Sequence, residues 1–388
     1  MTFQNQRQLF SIPDHISYLN TAYISPSFKA VEQAGIAAVL RKSQPFDIAS
    51  SEFFEPVTEV KTLFAQLIDV DDFNRIATIP SVSYGIANVA KNIRLKKNDE
   101  ILVLEEQFPS NVYEWQILAE TYGAKLITIK VPKASKDWVK QWNEDILNAI
   151  NDRTAVVAMA HVQWSNGVLF DLKAIREKSK AHHALLIIDG SQSVGALPFS
   201  VKEFQPDALI CAGYKWLFGP YASGYAYFGP YFDNGIPIEN NWCNRLNSEN
   251  FAGLTSYEPQ YKPLANRYAM GESGSFIAIS MQREALKQIL EWTPEAIQSY
   301  CKTISSDAVK ALKALGCHVE ADDKRAHHMF GIKLPKELDV NHFKLLLKQH
   351  HIYISFRGNY IRISCHLFNT KDDFNRLVKC MKEALQNS

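Results

Sequence analysis

The sequence predicts an α/β protein: a mostly parallel seven-stranded sheet covered by helices, followed by a smaller α+β unit. Three observations lead there. From about Arg75 to Gly229, short apolar runs alternate with helical patterns, the rhythm of a strand–helix–strand sheet. Several of those runs are β-branched at nearly every position, as strands buried on both faces require. After Gly316 the rhythm shortens to brief strands and two helices.

In chain order, residues 1–26 read as an N-terminal arm, 27–270 as the large domain and 271–388 as the small one. Helices over Ser27–Arg41 and Glu55–Ile68 brace the large domain or a partner subunit. The strands are Arg75–Ile79, Ile101–Leu104, Lys125–Val131, Thr154–Val162, Ala184–Asp189, Asp207–Cys211 and Gly224–Phe228. Between them lie helices over Ser83–Ile93, Asn111–Tyr122, Asp137–Ile150 and Asp171–His182. Asn234–Arg267, rich in Gly, Pro, Asn and Tyr, is loop. A long helix follows from Ser275 through Glu291, and Pro294 opens another at its first turn. The small domain has strands His318–Glu320, Met329–Leu334 and Tyr360–Ser364, with helices Asn341–His350 and Lys371–Leu385.

Composition narrows the function only by exclusion. The chain has 388 residues, 46% hydrophobic and 21% charged, enough for a large core plus a smaller one. A net charge of +1 gives no field to recruit nucleic acid or an anionic membrane. The first residues lack a basic segment followed by an apolar one, and no apolar stretch is membrane-length. Six scattered cysteines without C-x-x-C pairs argue against a disulfide framework or a zinc site and for reduced thiols in the cytoplasm. The adjacent pairs His182-His183, His327-His328 and His350-His351 point their members apart, so no metal is expected.

Three stretches carry chemistry together. In Leu185-Leu186-Ile187-Ile188-Asp189-Gly190-Ser191-Gln192, an acidic residue ends a buried strand, where open α/β sheets bind ligands. Capping the next helix is the plainer use of such an Asp. In Asp207-Ala208-Leu209-Ile210-Cys211-Ala212-Gly213-Tyr214-Lys215-Trp216, a lysine follows an apolar strand among aromatics and glycines. Such surroundings disfavour the ammonium and make the amine a nucleophile, although most lysines are simply solvated charges. In Ile79-Pro80-Ser81-Val82-Ser83-Tyr84-Gly85, a strand passes through a small polar turn into a helix whose free N–H groups suit a phosphate.

In this order, the three stretches resemble the class V aminotransferase group of fold-type I pyridoxal-phosphate (PLP) enzymes. That group includes cysteine desulfurases, selenocysteine lyases, kynureninases and isopenicillin N epimerase-like proteins. Further matching segments are Tyr18-Leu19-Asn20-Thr21-Ala22, Phe108-Pro109-Ser110-Asn111 with Trp115, and His161-Val162-Gln163-Trp164-Ser165-Asn166-Gly167. Arg267-Tyr268-Ala269-Met270-Gly271, Arg362-Ile363-Ser364 and Phe368-Asn369-Thr370 complete the likeness over nearly the whole chain.

The resemblance implies a fold-type I PLP-dependent transferase architecture and a role for each matched residue. Lys215 holds PLP as a Schiff base and then moves the Cα proton. Asp189 pairs with the pyridinium nitrogen, and Gln192 bonds the ring's 3-hydroxyl oxygen or lies near the Schiff base. Phe108 stacks on the ring where desulfurases carry histidine. Ser83, Tyr84 and Tyr214 bind the phosphate, while Asn166 and Gln163 contact ring or substrate. Arg362 grips the substrate carboxylate through its planar fork, with Arg357 a second candidate, although Gly358-Asn359 beside it also reads as a hairpin turn. Asn20 lies with the substrate. Gly271, Ser273 and Ser275 are placed on a loop that reaches a neighbouring subunit's phosphate, which implies a homodimer with shared sites.

One departure matters. Desulfurases and selenocysteine lyases carry a nucleophilic cysteine on a loop shortly before the carboxylate arginine, and Tyr353 to Tyr360 contains none. Cys365 follows the arginine and reads as a small buried hydrophobe. The expected function is therefore a PLP enzyme acting on an amino acid through Cα deprotonation, as an epimerase, lyase or aminotransferase. Desulfurase-type activity and a PLP-binding protein without catalysis remain alternatives. An unrelated nucleotide-binding protein ranks last, because both phosphate-loop motifs are missing.

Overall fold

The computed structural model describes residues 4–132, 137–358 and 360–386. Helices α1 (Lys29–Lys42) and α2 (Glu55–Leu67) precede the sheet. The sheet and its connecting helices then run β1 (Ile76–Ile79), α3 (Val82–Lys91), β2 (Glu100–Leu104), α4 (Tyr113–Tyr122), β3 (Lys125–Ile129), α5 (Trp138–Ala149), β4 (Thr154–Ala160), α6 (Leu172–Ala181), β5 (Leu185–Asp189), β6 (Ala208–Ala212) and β7 (Gly224–Phe228). Helix starts follow side-chain chemistry: Ser81, Asp137 and Asp171 each accept a hydrogen bond from a first-turn N–H of α3, α5 and α6. Helix α4 stops at Gly123, whose φ of +64 is the left-handed conformation glycine adopts freely.

The seven strands are ordered β1-β7-β6-β5-β4-β2-β3. All pairs are parallel except those of β7, which runs antiparallel to both β1 and β6. Alternation along each strand feeds two apolar layers. Leu186 and Ile188 of β5 join one, with Leu102 and Met159, while Ile187 joins the other, with Ile101 and Val156. The carboxyl ends of β1, β2, β4, β5 and β6 therefore share one edge, and the amino end of β7 joins them there.

After the irregular segment come α7 (Phe276–Trp292), which packs on α1 and α2, and α8 (Pro294–Ala314), opened by Pro294 and capped by Thr293. Then follow β8 (Met329–Lys333), α9 (Val340–Gln349), β9 (Ser355–Arg357), β10 (Tyr360–Ser364) and α10 (Lys371–Gln386). Strands β9-β10-β8 form an antiparallel sheet. The expected strand His318–Glu320 does not form: it reduces to one bridge, His318 to Lys333, at the end of β8. Strand β9, unforeseen, ends just before the Gly358-Asn359 pair read as a turn; Asn359 lies outside the described residues, and Gly358 has φ +56. The arm is not loose either. Ser17–Tyr18 pairs in parallel with Ile352–Tyr353, and Asn20 bridges Ser364. Among the described residues no helix is long and apolar enough to cross a membrane.

Candidate active site

A cavity of about 390 Å³ opens at the shared strand edge. Its wall is a sequence of strand ends: Ser81 and Ser83 after β1, Gln107 and Phe108 after β2, Val162 and Trp164 after β4, Asp189 at the end of β5 and Gln192 beyond it, Tyr214 and Lys215 after β6. Ser223, just before β7, closes the ring. Topology alone brings these distant segments together.

Lys215 is 7% exposed, with Nζ 5.3 Å from the Phe108 ring centroid and 5.6 Å from that of Tyr214. Burial pulls its amine down to about 8; the Asp189 carboxylate opposes that shift, and Arg362 and Arg357 add to it. Asp189 is equally buried and accepts from the Ser191 N–H at 2.9 Å, which leaves carboxylate capacity toward the cavity. The turn between them is tight. Gly195 holds φ +100 with the Trp216 carbonyl packed against its Cα, so only glycine lets the chain pass.

Gln192 lines the cavity, but its amide is largely committed. It donates to the Ala22 carbonyl at 3.2 Å and accepts from the Trp216 indole at 2.9 Å, which ties the arm to the lysine turn. Phe108 meets Trp164 edge-on, with centroids 5.5 Å apart. Ser81 and Ser83 place their hydroxyls 2.9 Å apart at the open start of α3. Tyr214 rests on Tyr221 with centroids 4.6 Å apart, and burial raises its phenol.

Arg362 is 1% exposed and donates from Nη1 to the Trp164 carbonyl at 2.7 Å, while its Nε and Nη2 have no partner. Burial first, then the charge of Arg357, lowers its guanidinium to about 9. Buried donors without acceptors are costly, so this fork is built to receive an anion. Arg357 lies over the Trp164 ring at 5.3 Å. Asn20 is held beside this pair by the Ser355 hydroxyl at 2.7 Å.

Six residues expected at a cofactor site do not line this cavity; of these, Gln163 donates to the Glu105 and Glu106 carbonyls, both at 3.4 Å, and Ser275 lines a separate cavity with Phe53 and Trp242. Asn166 closes its own turn, accepting from the Val168 N–H at 3.1 Å, and its carbonyl receives the Gly331 N–H. Tyr84 donates its hydroxyl to Glu239 at 3.1 Å, and Gly271 donates its N–H to the same carboxylate at 2.7 Å. Ser273 lines a different cavity of about 430 Å³, beside Lys61 and Asn266. Sequence reasoning missed Glu239, which joins α3 to the Gly271 turn, because a lone Glu in an irregular stretch carries no periodic signal. It also missed Gln107, whose amide donates to Asn111 and Ala158 carbonyls while its buried Oε1 is unpartnered.

These residues suit a flat, anionic, aldehyde-bearing cofactor. Phe108 offers a ring face, Asp189 a carboxylate, Lys215 a depressed amine, and Ser81 and Ser83 hydroxyls at a helix start.

Comparison with known proteins gives the same class. The family model Aminotransferase class-V matches residues 37–377, and the chain belongs to that family. It is a PLP-dependent enzyme of the transferase or lyase kind, with pyridoxal 5'-phosphate as cofactor. An uncharacterized aminotransferase, YcbU, of Bacillus subtilis is 25% identical over 84% of this chain and 83% of its own. Isopenicillin N epimerase of Streptomyces clavuligerus is 23% identical over 66% of this chain and 61% of its own. The fold matches the apo cysteine desulfurase of Thermococcus onnurineus NA1 with a TM-score of 0.85 at 18% identity, covering 100% of this chain and 99% of that one.

Proposed function

We propose that Lys215 carries the cofactor and that the enzyme moves the Cα proton of an amino acid whose carboxylate is held by Arg362. The observation that carries this reading is the Lys215 amine, buried and lowered to about 8 in the same cavity wall as Asp189. At pH 7.5 such an amine is about one-quarter free base, against roughly one part in a thousand at its ordinary value. Bound PLP supplies an electron sink for the bond broken at Cα. Asp189 holds a proton at the pyridine nitrogen, and Phe108 fixes the ring plane. Ser81 and Ser83 bind phosphate at the start of α3. With the cofactor and substrate in place, the Lys215 amine would be the group that accepts the Cα proton and returns it. Arg362 orients the substrate through Nε and Nη2.

Epimerisation, lysis and transamination all use this machinery. Sulfur transfer is disfavoured, because Cys365 is fully buried and no cysteine is among the described residues that line the cavity. Gly271 and Ser273 lie away from the chain's own cavity, which supports their service to a second subunit in a homodimer. Free cysteines throughout support a cytoplasmic, reducing setting. We assign residues 1–26 to an arm, 27–270 to the cofactor domain and 271–388 to the small domain. Amino acids screened for shifts of the cofactor absorbance, with products identified by mass spectrometry, test the reading. A protein whose chromophore answers to no amino acid would contradict it.

A further inference from the structure

The hairpin β9–β10 pairs Ser355 with Arg362 and Arg357 with Tyr360. In an antiparallel pair, opposed residues share a face and alternation is strict. Ser355, Arg357, Tyr360 and Arg362 therefore stand on one face, and the two arginines are diagonal neighbours within reach of each other. Trp164 meets both: its carbonyl takes Nη1 of Arg362, and its ring lies 5.3 Å beneath the Arg357 guanidinium.

Two cations side by side call for a counter-charge, and among the described residues no carboxylate pairs with either. Arg357 donates from Nη1 only to its own neighbour's carbonyl, that of Phe356, and its buried Nε has no partner. Arg362 leaves Nε and Nη2 open. Among the described residues no carboxylate contributes to the charges acting on either group; the tyrosines Tyr23 and Tyr18 oppose the lowering of Arg357 and Arg362 respectively. Both positive charges add to the lowering of the Lys215 amine, and both guanidinium groups meet Trp164, which lines the cavity. One substrate carboxylate satisfies Arg362 and leaves Arg357 uncompensated. The cofactor's phosphate belongs at Ser81 and Ser83, in another part of the wall.

We propose that Arg357 is a specificity residue that reads a second oxyanion, carried on the substrate's side chain, so that the enzyme prefers acidic over neutral amino acids. This rests on the reading of Lys215 and Arg362 given above. Trp164 orders the guanidinium of Arg357 by cation–π contact, and the preference comes from pairing an otherwise isolated charge.

Amine-free acids isolate binding from reaction. The holoenzyme is titrated by calorimetry with succinate, glutarate and adipate, and with butyrate, valerate and hexanoate of matching length. We expect at least one diacid to bind tenfold or more tighter than its partner. In Arg357→Gln that ratio falls toward one; in Arg362→Gln both members of the pair weaken. Arg357→Glu turns the preference toward side chains that end in an amine, measured as L-ornithine against L-glutamate by the shift of the cofactor band. A wild-type ratio near one for every pair overturns the proposal whatever the variants do. A ratio unchanged in Arg357→Gln, or both members of the pair weakened equally there, overturns it too. If the wild-type protein forms no borohydride-reducible bond at Lys215, the underlying reading fails instead. A reducible bond without diacid preference defeats only the role given to Arg357.

Discussion

Arg362 and Trp164 are joined across the cleft, the guanidinium Nη1 donating to the Trp164 carbonyl at 2.7 Å. That bond engages Nη1 and leaves Nε and Nη2, both buried, without a partner. A lysine cannot make the Trp164 bond and also offer two parallel donors. Arg362→Lys therefore raises KM for amino acids by about two orders of magnitude, the loss expected of one or two charge-assisted bonds. Its cofactor absorbance persists. Steady-state kinetics beside a spectrum of the same sample checks both halves.

The depressed amine of Lys215 has a pH signature. Its folded value, about 8, lies below the ordinary 10.5, so between those limits the unfolded chain binds more protons than the native one. Stability gained from a neutral Lys215 is therefore absent below about pH 8 and recovered as pH rises to 10.5. In the cofactor-free protein, Lys215→Met stabilises at pH 7, and the gain fades over that window. Denaturant titrations of both proteins at pH 7 and pH 10 measure it. PLP uptake by the wild-type apoprotein rises about tenfold per pH unit below 8 and then levels off.

Gly195 separates the two residues on which the chemistry depends. A Cβ there would stand 2.4 Å from the Trp216 carbonyl oxygen, at a φ of +100 that other residues avoid. Gly195→Ala costs about 1–3 kcal/mol from backbone strain, and more from the clash. Because Trp216 adjoins Lys215, the variant also releases PLP faster. Thermal melting with and without added PLP reads both effects.

Cys365 is wholly buried, its thiol near the His327 carbonyl at 3.8 Å. Cys365→Ala leaves turnover of the best substrate within a factor of two or so and costs stability modestly, as loss of a small buried group does. Alanine production from cysteine that vanishes in this variant would restore sulfur chemistry to the account.

Much of this was legible in the sequence because parallel strands buried on both faces must be apolar at every position. Runs such as Leu185–Ile188 announce themselves, and the residues just beyond them inherit a place at the common edge. Asp189, Lys215 and Ser83 are legible that way, whereas Phe108 comes from resemblance. Arg362 came from resemblance, and its open Nε and Nη2 appear only in three dimensions. Asn166 and Tyr84 illustrate the limit. Their positions in the chain adjoin the cavity, but side-chain direction is settled by partners distant in sequence, Gly331 for one and Glu239 for the other. The brief strand β9 escaped notice because three residues beside a glycine carry too little pattern to separate strand from turn.

The central claim is that Lys215 alone holds the cofactor. The most direct measurement is borohydride reduction of the PLP-loaded protein, followed by peptide mapping by mass spectrometry, in wild type and Lys215→Ala. The account predicts one phosphopyridoxyl group on the peptide containing Lys215 and none in the variant. A label on another lysine, or an equal label in Lys215→Ala, would contradict it.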